Sequence, residues 1–136
     1  MTRYSGGCAC GAIRYETDTS PVFENHCQCT HCQKRSGTGH GSYLTFPERA
    51  QMRITGTASE WSLAGDSGTQ KTHAFCPVCG TPVFLTFAAM PDIIAVHAAS
   101  LDDPDLFRPK VVTYAARAPA WDIAGPGLAR FEGMPG

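Results

Sequence analysis

Short runs of alternating apolar and polar residues divide this 136-residue chain into strand-length segments. Residues 11–17, 42–46 and 72–75 alternate with period two and are bounded by proline or by a cysteine pair, which is typical of β-strands. Similar runs lie at 52–55, 59–63, 81–87, 93–98 and 111–114. The 10 prolines and 14 glycines are spread along the chain and favour many short elements joined by turns. The pattern therefore predicts a mainly β architecture of short antiparallel strands.

The segments between these runs predict turns and loops. Residues 34–41 are polar and glycine-rich, which favours a loop or a short turn of helix. Residues 65–68 and 101–104 have the composition of turns, and residues 118–136 are irregular and rich in proline and glycine. The sequence contains no repeat, low-complexity tract or linker, so we expect a single domain over residues 1–136.

Composition narrows the range of partners. Charged residues make up 17% of the chain and the formal net charge is −1, which argues against binding to nucleic acid or to an anionic membrane. Residues 83–99 are interrupted by polar residues and proline, so they do not reach the roughly 18 apolar residues of a membrane span. The opening segment MTRYSGG is polar and small, unlike a signal peptide. We therefore expect a soluble, cytoplasmic protein.

The seven cysteines all lie in clusters. Cysteines two or three positions apart can chelate one metal ion in a small loop, whereas a disulfide at such spacing strains the geometry. Disulfides are also rare in a reducing compartment. Metal binding is therefore favoured over a disulfide framework, which is the alternative for a secreted protein. The clusters are Cys8 with Cys10, then Cys27, Cys29 and Cys32, and finally Cys76 with Cys79.

The pair in CPVCG, residues 76–80, has the form of a zinc knuckle. Two thiolates bind from a tight turn, and Gly80 lets backbone N–H groups point at the sulfurs. A thioredoxin-like redox pair is the rival, but it expects a following helix, whereas a proline and a β-branched, aromatic run follow here. A knuckle supplies two ligands and needs a second pair. Cys8 and Cys10 are the other pair in the sequence, and using them leaves no single cysteine unassigned. Zinc is the expected ion of this four-cysteine site, because it is soft and prefers tetrahedral geometry.

The other three cysteines, Cys27, Cys29 and Cys32, then form a second site. Three protein ligands with an open fourth position are the pattern of a catalytic zinc, since a water or a substrate thiolate can bind there.

Alternatives remain open for this second site. His26, His31 or His40 would close it, although the first two adjoin ligands and are expected to point away. A wholly structural two-zinc module with another pairing of the clusters is possible, and an iron–sulfur cluster fits the ligand type but not the ferredoxin spacings. Lys34 and Arg35 either offset the charge of a thiolate-rich site or form an ordinary solvated pair.

Other polar and aromatic residues carry weaker signals. No general acid or base stands out, and His73, Asp66 and Arg35 are simply polar residues that could lie near the site. Trp61 and Trp121 are expected in the core rather than on a stacking platform.

Four motifs together carry a family resemblance: GGCACGAIRY at 6–15, CxCxxCQK at 27–34, FCxxCGT at 75–81 and SLDDP at 100–104. Their order resembles the glutathione-dependent formaldehyde-activating enzyme family, also called the centromere protein V family, over about residues 3–121. The resemblance implies an Mss4-like fold in which short β-strands form a tent-like arrangement around zinc. It implies structural roles for Cys8, Cys10, Cys76 and Cys79, and catalytic roles for Cys27, Cys29 and Cys32.

The same resemblance implies a carbon–sulfur lyase or synthase. The synthase reaction combines formaldehyde with glutathione to give S-hydroxymethylglutathione. Zinc in an open site lowers the pKa of a bound thiol or polarises a carbonyl. The thiol is favoured as fourth ligand, because zinc with three thiolates is a weak Lewis acid. Many members carry a histidine after a proline near the last strand, and residues 109–114 contain none, which leaves the substrate open. The alternative is a zinc-stabilised binding module for a thiol or a macromolecule, with a fourth protein ligand at the second site.

Overall fold

The computed structural model describes residues 2–65 and 67–135, so Asp66 lies outside the described residues. Within them the chain forms eleven strands and one α-helix, with four short 3-10 turns. The strands are β1 (Tyr4–Gly7), β2 (Arg14–Thr17), β3 (Phe23–Cys27), β4 (Gly41–Phe46), β5 (Arg53–Thr55), β6 (Ser59–Ala64), β7 (Gln70–Phe75), β8 (Pro82–Phe87), β9 (Met90–His97), β10 (Val111–Thr113) and β11 (Ala129–Arg130). The helix α1 is Thr30–Ser36, and the 3-10 turns are Arg49–Gln51, Ala98–Ser100, Pro104–Leu106 and Ala115–Arg117.

The strands form two sheets. The smaller has the order β1-β2-β5, and the larger has the order β11-β10-β3-β4-β9-β8-β7-β6. The prediction of a mainly β fold is confirmed. Most paired strands are antiparallel, as predicted, and at one edge β10 runs parallel to both β3 and β11. The cause is the connection after β9, since the chain crosses past β4 and β3 before it re-enters the sheet.

The helix begins inside the cysteine motif, earlier than the loop or short helical turn predicted at residues 34–41. Cys29 is its N-cap, and the Cys29 sulfur accepts a hydrogen bond from the Cys32 N–H at 3.4 Å. Gly37 ends the helix with φ of 76°, a left-handed conformation that glycine adopts without strain. The cysteine motif therefore starts a helix as well as supplying ligands.

The strand β3 was not predicted, because polar Asn25 occupies one of its two buried positions. Asn25 is buried, and its amide donates a hydrogen bond to Thr113 Oγ1 of β10 at 3.0 Å. This bond satisfies the amide inside the sheet, which a hydrophobic pattern does not reveal.

The two faces of the large sheet belong to two separate clusters, because successive side chains of a strand point to opposite faces. One face joins the main core, together with residues of the small sheet and with Cys8 and Cys76. The other face joins a smaller cluster that contains the remaining three cysteines. The main-core side chains include Leu44, Phe46, Phe84, Ile94 and Val96. The smaller cluster includes Tyr43, Leu85 and Ala95.

Both tryptophans lie at the surface, so the prediction that they belong to the core is wrong. Trp61 is 48% exposed on β6, the edge strand of the large sheet, and Trp121 is 67% exposed in a turn. Their positions at an edge and in an irregular segment explain the exposure. Among residues 2–65 and 67–135, no helix has the length and hydropathy needed to cross a membrane.

Candidate metal centres and active site

Two turns from distant parts of the chain bring four cysteines together. Cys8 and Cys10 follow β1, and Cys76 and Cys79 lie between β7 and β8. The four sulfurs lie within 4.8 Å of one another, and both the Cys8–Cys10 and the Cys10–Cys76 sulfur distances are 3.7 Å. Four sulfurs arranged tetrahedrally at about 2.3 Å from a zinc ion are roughly 3.8 Å apart. The donor set therefore fits an ion of that size.

Backbone groups in both turns point at these sulfurs. The Val78 N–H donates to Cys76 Sγ at 3.3 Å, and the Ile13 N–H donates to Cys8 Sγ at 3.2 Å. Gly80 has φ of 78°, so the predicted need for a glycine after the knuckle agrees with a left-handed backbone there. Hydrogen bonds of this kind stabilise thiolates, which are the form that binds metal.

Thr81 links the two turns of the four-cysteine group. Its Oγ1 accepts a hydrogen bond from the Ala9 N–H at 3.1 Å and lies 3.2 Å from Cys79 Sγ. The hydrogen bonds from the Thr81 hydroxyl and backbone lower the pKa of the Cys79 thiol to about 5. This thiol is therefore easily ionised even without a metal.

The second group combines the end of a strand with the start of a helix. Cys27 ends β3, Cys29 caps α1 and Cys32 lies in the first turn of α1. All three are buried, and their sulfurs lie within 4.8 Å of one another. The sequence prediction of one four-cysteine and one three-cysteine group is reproduced by the geometry, and both groups are able to hold a metal ion.

The candidate histidines do not join this second group within the described part of the chain. The His26 Nδ1 lies 2.8 Å from Ser42 Oγ, and the His40 Nδ1 lies 2.9 Å from Asp122 Oδ2. Both side chains are thus engaged elsewhere, and His31 is not part of the group either. The three sulfurs are the protein ligands that the structure brings together.

The three thiols differ in acidity. Hydrogen bonds from Cys27 and Cys32, with the ammonium group of Lys71 nearby, hold the pKa of Cys29 well below its usual value. The Tyr43 hydroxyl donates a hydrogen bond to Cys32 Sγ at 3.0 Å. These hydrogen bonds and the nearby positive charge stabilise negative charge on the sulfurs of this group.

A buried histidine lies beside this group. His73 pairs across β7 and β8 with Leu85, which packs against the three cysteines, and the ring of Trp61 stacks on it at 6.1 Å between centroids. Burial lowers the pKa of His73 to about 4, with smaller contributions from Arg35 and Lys71. The imidazole is consequently neutral at pH 7.

Of the polar residues singled out in the sequence, His73 and Arg35 therefore lie near the three-cysteine group. Lys34 is exposed, while Arg35 is partly buried with its guanidinium carbon 5.3 Å from the centre of the Phe75 ring. The two neighbouring cations thus have different surroundings, and of the two Arg35 is the one that packs against the protein.

Sequence reasoning missed Tyr43 and His97. Their rings are 4.9 Å apart on paired positions of β4 and β9, and burial lowers the pKa of His97 to about 3, with His73 and Arg35 adding to the effect. A tyrosine within an alternating run is indistinguishable from a core residue in the sequence. The strand pairing that places it beside a thiol has no local signal.

Residues 3–117 match the sequence profile of the glutathione-dependent formaldehyde-activating enzyme family. The chain belongs to this family. The expected resemblance is confirmed, and the matched region includes all seven cysteines. Family membership associates the chain with glutathione-dependent activation of formaldehyde.

A solved structure supports the fold of this formaldehyde-activating family member. The crystal structure of a Rhodobacter sphaeroides protein is similar to it with a TM-score of 0.59 and 21% sequence identity. The similarity covers 77% of this chain and 96% of that chain. At this identity it establishes the fold alone.

The protein also has a polar network of Asp122, Gln28 and His40. Asp122 lies beyond residues 3–117, the region that matches the family. The Asp122 carboxylate accepts a hydrogen bond from Gln28 Nε2 at 2.9 Å and also contacts His40, and its side chain is only 7% exposed. Gln28 lies between two of the clustered cysteines, Cys27 and Cys29. The segment that the sequence presented as irregular therefore supports the three-cysteine loop.

Proposed function

We propose that this protein is a zinc-dependent carbon–sulfur lyase or synthase that acts on the adduct of glutathione, or another small thiol, with formaldehyde or a related aldehyde. The observation that supports it is a group of three buried sulfurs, held by one strand end and one helix, in a member of this family. Cys27, Cys29 and Cys32 would hold the catalytic ion. The other four cysteines would hold a structural zinc, within a single zinc-binding domain over residues 1–136.

The chemistry rests on activating a thiol. A zinc ion at the three-cysteine group would lower the pKa of a substrate thiol at the open position. Tyr43 orients the Cys32 sulfur, and the ammonium group of Lys71 offsets negative charge at Cys29. Positive charge at this place favours a thiol that carries carboxylates, as glutathione does.

The proposed reaction is an addition. A lone pair of the thiolate sulfur forms the carbon–sulfur bond to the aldehyde carbon, while the carbonyl π electrons move to oxygen, which gains a proton. The product is a hemithioacetal, and the reverse reaction is the lyase step. All seven cysteines are free, which suits a reducing compartment such as the cytoplasm, the location that we propose.

Metal analysis and calorimetry test this function together. We expect two zinc ions per chain and measurable heat when glutathione is titrated into the zinc-loaded protein. Because thiols add to formaldehyde spontaneously, turnover is measured as the exchange rate of formaldehyde with glutathione by NMR, above the rate without protein. Cys29→Ser should abolish the acceleration and leave a folded chain that retains one zinc.

Two results would count against this proposal. A single zinc in the wild type, or no heat with glutathione, would favour the alternative of a zinc-stabilised binding module without catalysis. In that case the zinc-loaded protein would also leave the exchange rate at its spontaneous value.

A further inference from the structure

The neutral imidazole of His73 is an unsatisfied group in the interior. The residue is 2% exposed, and neither ring nitrogen has a hydrogen-bond partner within the described part of the chain. Buried side-chain polar atoms are almost always paired, because the loss of hydration is otherwise uncompensated. Two orphan nitrogens on one buried ring therefore point to a ligand that supplies a partner to at least one of them.

Arg35 supplies a second unsatisfied donor in the same region. Its Nε is buried and has no hydrogen-bond partner among the described residues. The guanidinium packs over Phe75, two residues along β7 from His73, and this contact fixes its position. The charge of Arg35 also disfavours protonation of His73.

His73 lies beside the three-cysteine cluster, and Arg35 lies one helical turn after Cys32 on α1. His73 is adjacent to Leu85, a member of the three-cysteine cluster, and it also interacts electrostatically with Cys29. In a hemithioacetal a single carbon separates the oxygen from the sulfur, so a group that binds the oxygen must adjoin the group that binds the sulfur. The carboxylates of glutathione are several bonds farther from its sulfur.

We propose that His73 and Arg35 bind the oxygen of the aldehyde-derived group and stabilise the negative charge that develops on it. This inference rests on the proposed function and adds two catalytic residues to it. One ring N–H of His73 and the Nε–H of Arg35 donate to the same oxygen, in the manner of an oxyanion hole. Neither residue needs to lose its proton.

The atoms balance without a further reactant. The substrate thiol releases its proton to water and its sulfur lone pair forms the carbon–sulfur bond. The carbonyl π pair becomes a lone pair on oxygen, which the two donors stabilise until it takes a proton back from water. In reverse, the hydroxyl loses its proton, the carbon–sulfur bond breaks and its electron pair returns to sulfur.

The test uses the zinc-loaded full chain with His73→Phe, His73→Gln and Arg35→Met. Phenylalanine keeps the ring packed against Trp61, and glutamine keeps a polar group should the apolar variant fail to fold. Lys34→Met is the matched control, because Lys34 is an exposed cation next to Arg35 on α1. We expect His73→Phe and Arg35→Met each to lower the maximal exchange rate about 100-fold. Zinc content and the glutathione dissociation constant from calorimetry should stay unchanged, as should the rate of the control.

A second readout is independent of turnover. Addition of a formaldehyde–glutathione mixture to the zinc-loaded wild type should shift the NMR signal of one His73 ring nitrogen, whereas glutathione alone should not.

Each other outcome overturns the inference. A wild-type exchange rate in folded His73→Phe or in Arg35→Met removes that residue from catalysis, and Arg35→Met decides the matter if His73→Phe does not fold. His73→Gln still offers an N–H donor and should keep part of the rate that His73→Phe loses. Weaker glutathione binding at an unchanged maximal rate would mean that the pair binds a carboxylate of the thiol instead. If the wild type itself neither binds glutathione nor accelerates exchange, the proposed function fails and this inference fails with it.

Discussion

The phenolic hydroxyl of Tyr43 donates a hydrogen bond to the sulfur of Cys32 at 3.0 Å, from a side chain that is only 5% exposed. Burial raises the pKa of Tyr43 well above its usual value, so the hydroxyl stays protonated and remains a donor. The bond would stabilise the thiolate form of Cys32, a residue that is itself only 5% exposed. A donor in this position also fixes the direction of the sulfur.

Tyr43→Phe should weaken metal binding at the three-cysteine group. Loss of a hydrogen bond to a metal ligand commonly reduces affinity 10- to 100-fold, so we expect the zinc dissociation constant of this site to rise by about that factor. Competition with a chromogenic chelator measures it. Tyr15→Phe is the matched control, because its hydroxyl lies 2.6 Å from Ser100 Oγ in the main core and is not hydrogen-bonded to a thiol among the described residues. Equal zinc affinity in both variants would contradict the role assigned to Tyr43.

Cys10→Ser should destabilise the fold much more than Cys29→Ser. The four-cysteine group joins residues 66 positions apart, Cys10 and Cys76, whereas the other group spans a short loop and a helix turn. Metal binding that closes a long loop contributes directly to folding. We expect Cys10→Ser to lose one zinc and more than about 4 kcal/mol of unfolding free energy, a loss typical of a missing metal or core element. Urea denaturation with metal analysis checks this, and equal midpoints for the two variants would contradict it.

The sequence was sufficient to predict the division of the cysteines, because closely spaced ligands form clusters and only the two pairs together give four ligands. The short strands were also predictable where one face is apolar, as in residues 42–46. The start of α1 was not, since its N-cap is a cysteine rather than one of the usual capping residues. Strand β3 was missed because buried Asn25 interrupts its hydrophobic pattern.

The surroundings of the sulfurs depend on pairing between distant segments. Tyr43 meets His97 only through the register of β4 and β9, and Asp122 meets Gln28 only after the chain returns from β10. No spacing rule encodes either contact. The sequence therefore predicted the candidate ligands well and most of the groups around them poorly.

Acid should destabilise the protein through its buried histidines. Burial lowers the pKa of His97 from an ordinary 6.5 to about 3. Between these two pH values the imidazole is protonated in the unfolded chain and neutral in the folded chain. The stability that neutral His97 contributes is complete above pH 6.5 and is lost as the pH falls toward 3. One such proton corresponds to about 1.4 kcal/mol per pH unit. We expect His97→Phe to have a shallower decline in unfolding free energy between pH 6 and pH 4.

Urea titrations at several pH values measure the difference between the wild type and His97→Phe. The seven cysteines are the same in both proteins, so protonation of thiolates affects both and the difference reports the imidazole. Parallel curves would show that His97 is not protonated on unfolding in this range.

Asp122→Asn should loosen the loop that carries Cys27 and Cys29. The asparagine amide has one acceptor oxygen in place of a charged carboxylate, and its NH₂ group competes with donors from Gln28 and His40. A buried donor left unpaired typically costs about 1–3 kcal/mol, and we expect the free energy of unfolding to fall by that amount.

The same change should speed zinc transfer from the three-cysteine group to a chelator, because Gln28 lies between the two ligands. Asp105→Asn is the control, since Asp105 is exposed in a 3-10 turn and should match the wild type in stability and transfer rate. If Asp122→Asn lost stability but released zinc at the wild-type rate, the network would hold the tail of the chain without supporting the metal loop. A faster release together with the lower stability would show that the last segment of the chain acts on the candidate active site through Gln28.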